Sequence, residues 1–395
     1  MPSLTFGDVF LHKIIDINFI LFCIVVSVFI IYVRQNESHE YNGSNKWFWV
    51  FAIVSAWLSL RDLGLDLDNY RLFYQNSKIG ETLRESTFGY DFEIGWMVVI
   101  YLFSSLGMPF EVFLFFASAV PLFIIYFVAF RLKKDIPYIY VFFVFFVFFV
   151  WELVDVIRAF FASSIILLSL YALSIRYRVL SLALSFFSIL VHSSAVIAPI
   201  ASAFFSKVKV NKYTALVLLV LSCFFGLLVR LSLLEFEVSI SIGRDGTFLS
   251  NILFKLYYYL FYYQSQGYVF LNSTHEFLTH MKEILSMLCY LVLFYVALEF
   301  KRDTNKFIEI ISIVFIVSMC SLVFFYSCGL SIIGNRVFSL LNLGAIFIMA
   351  KFLSTDKFSK KLKNIFILLI MTRMIFFILY HAGLHQPLSP FYLGL

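Results

Sequence analysis

Long apolar runs recur along the chain at 14–33, 47–60, 110–130, 137–150, 158–175, 214–230, 284–300, 307–327, 336–353 and 364–381, each closed by a short polar or basic stretch. Lipid offers a peptide group no hydrogen-bond partner, so each run predicts a helix that satisfies its own backbone. Two runs break the rhythm. The segment 179–206 is basic on both flanks and too long for one perpendicular span. It reads as an out-and-back hairpin of two short helices with its apex at Val191-His192-Ser193-Ser194. The run 94–106, bounded by Gly107 and Pro109, is short for a crossing and reads as an interfacial or re-entrant helix.

Composition sharpens this picture. Of the 395 residues, 62% are hydrophobic, 20% aromatic and 14% charged. An ordinary soluble domain carries about 25% charged residues. A water-facing globule and a disordered chain are both excluded. The 30 Lys and Arg exceed the 24 Asp and Glu by six, but no basic stripe suggests nucleic acid. Basic residues gather instead in short loops: Arg131, Lys133 and Lys134; Arg176 and Arg178; Lys207, Lys209 and Lys212; Lys301, Arg302 and Lys306; Lys357, Lys360, Lys361 and Lys363. The positive-inside bias assigns these to the cytoplasm and leaves 61–93 and 231–283 as long outer loops. Lys13 precedes a run too long for a signal-peptide core, so 14–33 is expected to remain as a span. The expected architecture is all-α: a polytopic membrane helix bundle of about 12 spans, forming one transmembrane domain over 1–395 with both termini outside.

Cys23, Cys223, Cys289, Cys320 and Cys328 lie in or beside apolar runs without metal-ligand spacing, so they read as small hydrophobes. The phenylalanine-rich tract 142–149 is expected to face lipid. No internal repeat relates the two halves, which weighs against an inverted-repeat transporter.

A charge at the bilayer centre costs roughly 2.5–3.5 kcal/mol on insertion scales, so ionisable residues near the spans need a reason. Arg61, Asp66, Asp68, Glu93, Glu152, Asp155, Arg158, His192, Arg230, Arg336, His381 and His385 all fall at the outer boundary. Asp155 and Arg158, three apart, can form a local ion pair, or the arginine can grip a lipid-linked phosphate. His192 can be a satisfied structural histidine or a base near neutral pH. Arg336 can snorkel to the interface or serve as a second cation for a diphosphate. Carboxylates interleave with aromatics around Arg61 to Tyr70 and Tyr90 to Trp96. That pattern suits a solvated acidic loop or a carbohydrate platform.

Taken together, four stretches resemble the EpsG-like branch of the Wzy-type polysaccharide repeat-unit polymerases. The first is Arg61, Gly64, Asp66 and Tyr70; the second is Glu93, Gly95 and Trp96; the third is Ile157, Arg158 and Ala162; the fourth is His192, Ser194 and Ala195. Ile94 stands where that pattern has proline, and Ala159 where it has glutamine, so no role is carried over for the glutamine. The resemblance implies a GT-C-like bundle in the bacterial cytoplasmic (inner) membrane with its active site facing outward. A growing glycan would pass from polyprenyl diphosphate to a sugar hydroxyl of a new lipid-linked repeat unit. In that reading Arg158 and Arg336 hold the diphosphate, with Arg244 or Arg230 as auxiliaries. His192 or Asp66 accepts the hydroxyl proton, and Glu93, Arg61, Tyr70 and Arg244 contact substrate. No cofactor or metal is expected. The partners would be lipid-linked donor and acceptor, membrane lipid and a chain-length regulator. The alternatives are a lipid-linked oligosaccharide flippase and a glycan ligase.

Overall fold

The computed structural model describes residues 44–59, 67–78, 93–150, 153, 156–196, 212–235, 273–328 and 331–384, and these contain helices and short turns with no strand among them. In chain order the helices are α1 (Ser44–Ser59), α2 (Leu67–Lys78), α3 (Ile94–Ser105), α4 (Phe110–Leu132), α5 (Tyr138–Val144), α6 (Ile157–Ser174), α7 (Arg178–Val191), α8 (Lys212–Glu235), α9 (Ser273–Phe300), α10 (Lys306–Ser327), α11 (Ser331–Asn342), α12 (Ala345–Ser354) and α13 (Lys360–Leu384). The chain is thus an all-α, multi-pass membrane protein. Segments of α4, α6, α8, α9 and α10 are each long and apolar enough to cross a bilayer.

Most helices start and stop where the apolar runs do. The exception is 336–353, expected as one span, which is two helices: α11 ends at Asn342 and α12 begins at Ala345. Gly344 lies in the break with its backbone against the Ile311 side chain. A glycine there weakens helix continuity by about 1 kcal/mol, too little for hydropathy to register as an interruption. The hairpin expected at 179–206 is supported in its first arm, since α7 ends at Val191 and the chain turns through a 3₁₀ segment, Ser193–Val196. Its second arm, like the span 14–33 and the loops 61–66 and 236–272, lies outside the described residues.

The phenylalanine tract corrects its expectation. α5 continues as a π-helix, Phe145–Phe149, and every residue from Phe142 to Phe149 is at most 7% exposed. The tract does not face lipid. Phe142 packs on Phe51 of α1 (4.6 Å between ring centroids), Phe148 on Tyr290 of α9 (5.8 Å) and Phe145 on Phe160 of α6 (6.3 Å), while α12 and α13 close the remaining sides. A helix apolar all round is equally suited to lipid and to the centre of a bundle, and here it is the centre. The wider π turn occurs where neighbours press from every direction.

α8 is the opposite case, with only 11% of its apolar window buried. It rests on α10 at Gly226, where a Cβ would come within 2.5 Å of the Phe324 carbonyl oxygen. Small residues permit this close backbone approach between membrane helices. Elsewhere the bundle is built around α6, which packs on α4, α7, α10 and α11.

Candidate functional site

The site forms where three short pieces of chain meet. α3 crosses α7 at Gly95, and a Cβ on Gly95 would sit 2.6 Å from the Leu190 carbonyl oxygen, so only glycine allows the two backbones this close. Glu93 precedes Gly95 by two residues and occupies the N-cap position of α3. His192 and Ser193 follow Leu190 at the end of α7, so the crossing delivers the Glu93 carboxylate to the turn after α7. There Oε1 accepts hydrogen bonds from the Ser193 backbone N–H (3.0 Å) and hydroxyl (2.8 Å).

The other carboxylate oxygen reaches across to α6. Arg158 Nη1 donates to Glu93 Oε2 at 2.6 Å, with the two side chains only 16% and 13% exposed. Arg158 is the second residue of α6, so its position is set by the helix start at Ile157. Charge-assisted bonds of this kind contribute about 1.5–3 kcal/mol each when shielded from water. Burial pushes the Glu93 carboxyl up, but Arg158, His192 and the two Ser193 donors outweigh it and hold the group below the usual carboxylate value.

His192 has extended backbone at the C-cap of α7 and is 7% exposed. Its Nδ1 accepts from the Ser194 backbone N–H at 3.3 Å, which places the proton of the neutral ring on Nε2. Ala195 N–H donates to the His192 carbonyl at 2.9 Å and closes the turn.

Beneath Glu93 lies an aromatic floor. Trp96 is fully buried and meets Tyr70 of α2 edge-on at 5.6 Å, Phe113 of α4 at 5.5 Å and Phe161 of α6 at 5.7 Å. These edge-to-face contacts fix the start of α3 against three other helices. The Trp96 Nε1–H has no hydrogen-bond partner among the described residues.

The sequence-derived candidates therefore divide. Glu93, Arg158 and His192 come together. Glu93, expected to contact substrate, turns both oxygens to protein groups and acts on Arg158 and Ser193. Tyr70, also expected to contact substrate, is 0% exposed under Trp96 and supports the site from below. Arg158 has a partner 65 residues away in Glu93; the local pairing considered with Asp155 lies outside the described residues. Arg336 is carried on α11, which packs on both α6 and the 3₁₀ turn. Near it, Ser163 of α6 donates to the Ser339 carbonyl of α11 at 3.3 Å. Asp66, Arg61 and Arg244 lie outside the described residues, and Arg230 is at an exposed position on α8.

Ser193 and Arg373 are what the sequence reading passed over. Ser193 was legible only as a neighbour of His192. Arg373, on α13, is 5% exposed deep in the bundle: its Nε donates to the Ser286 hydroxyl (2.8 Å), its Nη1 to the Phe148 carbonyl (3.2 Å), and its guanidinium lies 3.9 Å from the Phe148 ring centroid. It thereby ties α13 to the last turn of the π-helix. Its signal was a lone charge inside the run 364–381. Among the described residues no group of His, Cys, Asp and Glu is arranged to hold a metal ion, and Cys223, Cys289, Cys320 and Cys328 are free thiols.

The arrangement can fix a guanidinium and an imidazole on either side of one carboxylate, with a serine turn between them. The sequence model of the EpsG family matches residues 45–392. No curated protein and no solved structure matches the chain.

Proposed function

The chain belongs to the EpsG family, and from that premise we propose that it is a polysaccharide polymerase: a membrane glycosyltransferase that moves a growing glycan from polyprenyl diphosphate to a hydroxyl of a new lipid-linked repeat unit. The observation that carries this reading is the Glu93 carboxylate tying Arg158 on one side and the Ser193–His192 turn on the other. In the proposed reaction the bond between the donor sugar and the diphosphate oxygen breaks, and the acceptor hydroxyl oxygen bonds to the same carbon. The hydroxyl proton passes to a base, and the lipid diphosphate leaves with its negative charge.

Such a leaving group asks little covalent chemistry of the protein. Its developing charge must be met by cations held ready, and the acceptor must be aligned. Arg158 supplies a planar fork suited to phosphate oxygens, oriented by Glu93. Arg336 is the second cation in this proposal, carried by the helix that packs on α6 and the turn. The proton goes to Asp66 from the first outer loop, or to His192 at Nδ1, which must first release the Ser194 N–H. The site would face away from the cytoplasm in the bacterial inner membrane, because the basic loops mark the other side. Donor, acceptor and a chain-length regulator are the proposed partners.

The test is a deletion strain carrying Arg158→Ala, His192→Ala or Asp66→Asn. Each is expected to abolish long-chain glycan at normal membrane protein levels, with single repeat units accumulating on the outer face. Units trapped on the cytoplasmic face would indicate a flippase. Full-length polymer left on its polyprenyl carrier would indicate a ligase.

A further inference from the structure

At the opposite end of the bundle, the start of α8 and the end of α9 diverge around a recess of about 350 Å³ lined by Lys212, Tyr213, Leu298, Glu299, Lys301 and Arg302. Glu299 is the one acid among these lining residues. Lys212 Nζ pairs with it, Lys357 Nζ lies 3.2 Å from its other oxygen, and Lys357 also donates to the Glu299 carbonyl at 3.0 Å. One carboxylate shared by two ammonium groups already leaves positive charge. Lys301 and Arg302 add to it. The next acid along the chain, Asp303, is engaged by Lys351 at 2.8 Å and by the Asn305 backbone N–H at 2.8 Å.

Lys301 is the residue that makes this more than a basic surface. It lines the recess yet is only 8% exposed. Burial, together with Arg302 and Lys212, lowers its pKa, and Glu299 opposes that only in part. An ammonium held among like charges is stabilised when an anion joins it.

An apolar track leads away from the same recess. Tyr213, Val217, Val220 and Phe224 follow one another at helical spacing along α8 and are 82%, 55%, 67% and 55% exposed. Cationic recess and apolar stripe are continuous on one helix, a combination that fits a molecule with an anionic head and hydrocarbon tails. On the positive-inside orientation this end lies at the cytoplasmic leaflet, where anionic lipids supply that chemistry.

We propose that the recess binds the phosphate headgroup of an anionic phospholipid of the cytoplasmic leaflet, with Lys301 and Arg302 on the phosphate and one acyl chain along α8. The site is independent of the polymerase reaction. The lysines act as point charges, and Arg302 can present its fork to two phosphate oxygens.

The experiment uses the full-length protein purified in detergent, with bound lipid counted by native mass spectrometry during titration with phosphatidylglycerol, phosphatidylcholine or inorganic phosphate. The expected result is one retained phosphatidylglycerol and weak phosphatidylcholine binding, with inorganic phosphate a poor competitor. Arg302→Gln, on the exposed rim, should weaken phosphatidylglycerol about fivefold, the equivalent of the roughly 1 kcal/mol that one basic residue gives at an anionic surface. Lys301→Met should weaken it further, and Lys301→Arg should restore it. Equal retention of the two lipids overturns the proposal, as does wild-type phosphatidylglycerol binding by Arg302→Gln. Displacement of lipid by inorganic phosphate at comparable concentration would also overturn it, by reassigning the recess to a free anion. If Lys301→Met fails to fold, Arg302→Gln decides alone.

Discussion

At one end of the bundle Glu93, Arg158, Ser193 and His192 answer one another across three helices; at the other, Lys212, Lys301, Arg302 and Lys357 crowd around Glu299. The first group is matched in charge and hydrogen bonds, so its geometry is fixed before any ligand arrives. The second has cations in excess, so its counter-ion must come from outside. Preorganisation of this kind favours chemistry, because no reorganisation is needed as charge develops. Excess charge favours recruitment.

The largest expected effect breaks the matched end. Arg158→Ala, Glu93→Ala and the double variant should each reduce polymer on a glycan gel to background, the double no worse than either single, because the two residues act as one unit. If Glu93→Ala alone retains polymer, the carboxylate is not what orients the arginine. Next is the crossing itself. Gly95→Ala should destabilise the protein by about 1–3 kcal/mol through overpacking and also remove polymer, since the Glu93–Ser193 bonds depend on that contact. Gly226→Ala has a comparable backbone clash on lipid-exposed α8 but should lower polymer only in proportion to folded protein. Denaturation followed by tryptophan fluorescence, alongside the glycan gel, separates the two.

A further effect of similar energy but no catalytic consequence is expected at Arg373→Met. It leaves the Phe148 carbonyl and Ser286 hydroxyl without this donor and should cost roughly 1–3 kcal/mol. Activity per folded molecule should persist.

The smallest effect is a pH dependence. The Glu93 carboxyl is held below its ordinary value in the folded protein, so its contribution is fully present above the unfolded carboxylate range and is lost as pH falls through the lower folded value. The difference in melting temperature between wild type and Glu93→Gln should therefore be constant near neutrality and shrink in acid. A difference that grows as pH drops would reverse the sign.

Much of the fold was legible because lipid enforces helices and basic loops punctuate them. The site was legible in part: Glu93, Arg158 and His192 each stood out as costly residues beside apolar runs. Their pairing was not, since Glu93 and Arg158 are 65 residues apart and sequence offered Asp155 as a nearer partner. Hydropathy also could not tell the phenylalanine tract's neighbours from lipid, because a phenylalanine ring and an acyl chain are equally apolar. Nor could it register the break at Gly344, where apolar residues continue on both sides. The burial of Tyr70 against Trp96 was not legible, because an aromatic beside carboxylates has the same composition whether it faces a sugar or a tryptophan.

The brevity of α3 and α7 has a consequence for how a bulky glycolipid could approach. With 12 and 14 residues, they extend about 18 and 21 Å, against a hydrocarbon layer roughly 30 Å deep. A helix as short as α7, started at one boundary, stops some 10 Å short of the other. A hydrophilic chain reaching Arg158 at that depth would descend about that far while its prenyl anchor stayed alongside in the oily phase.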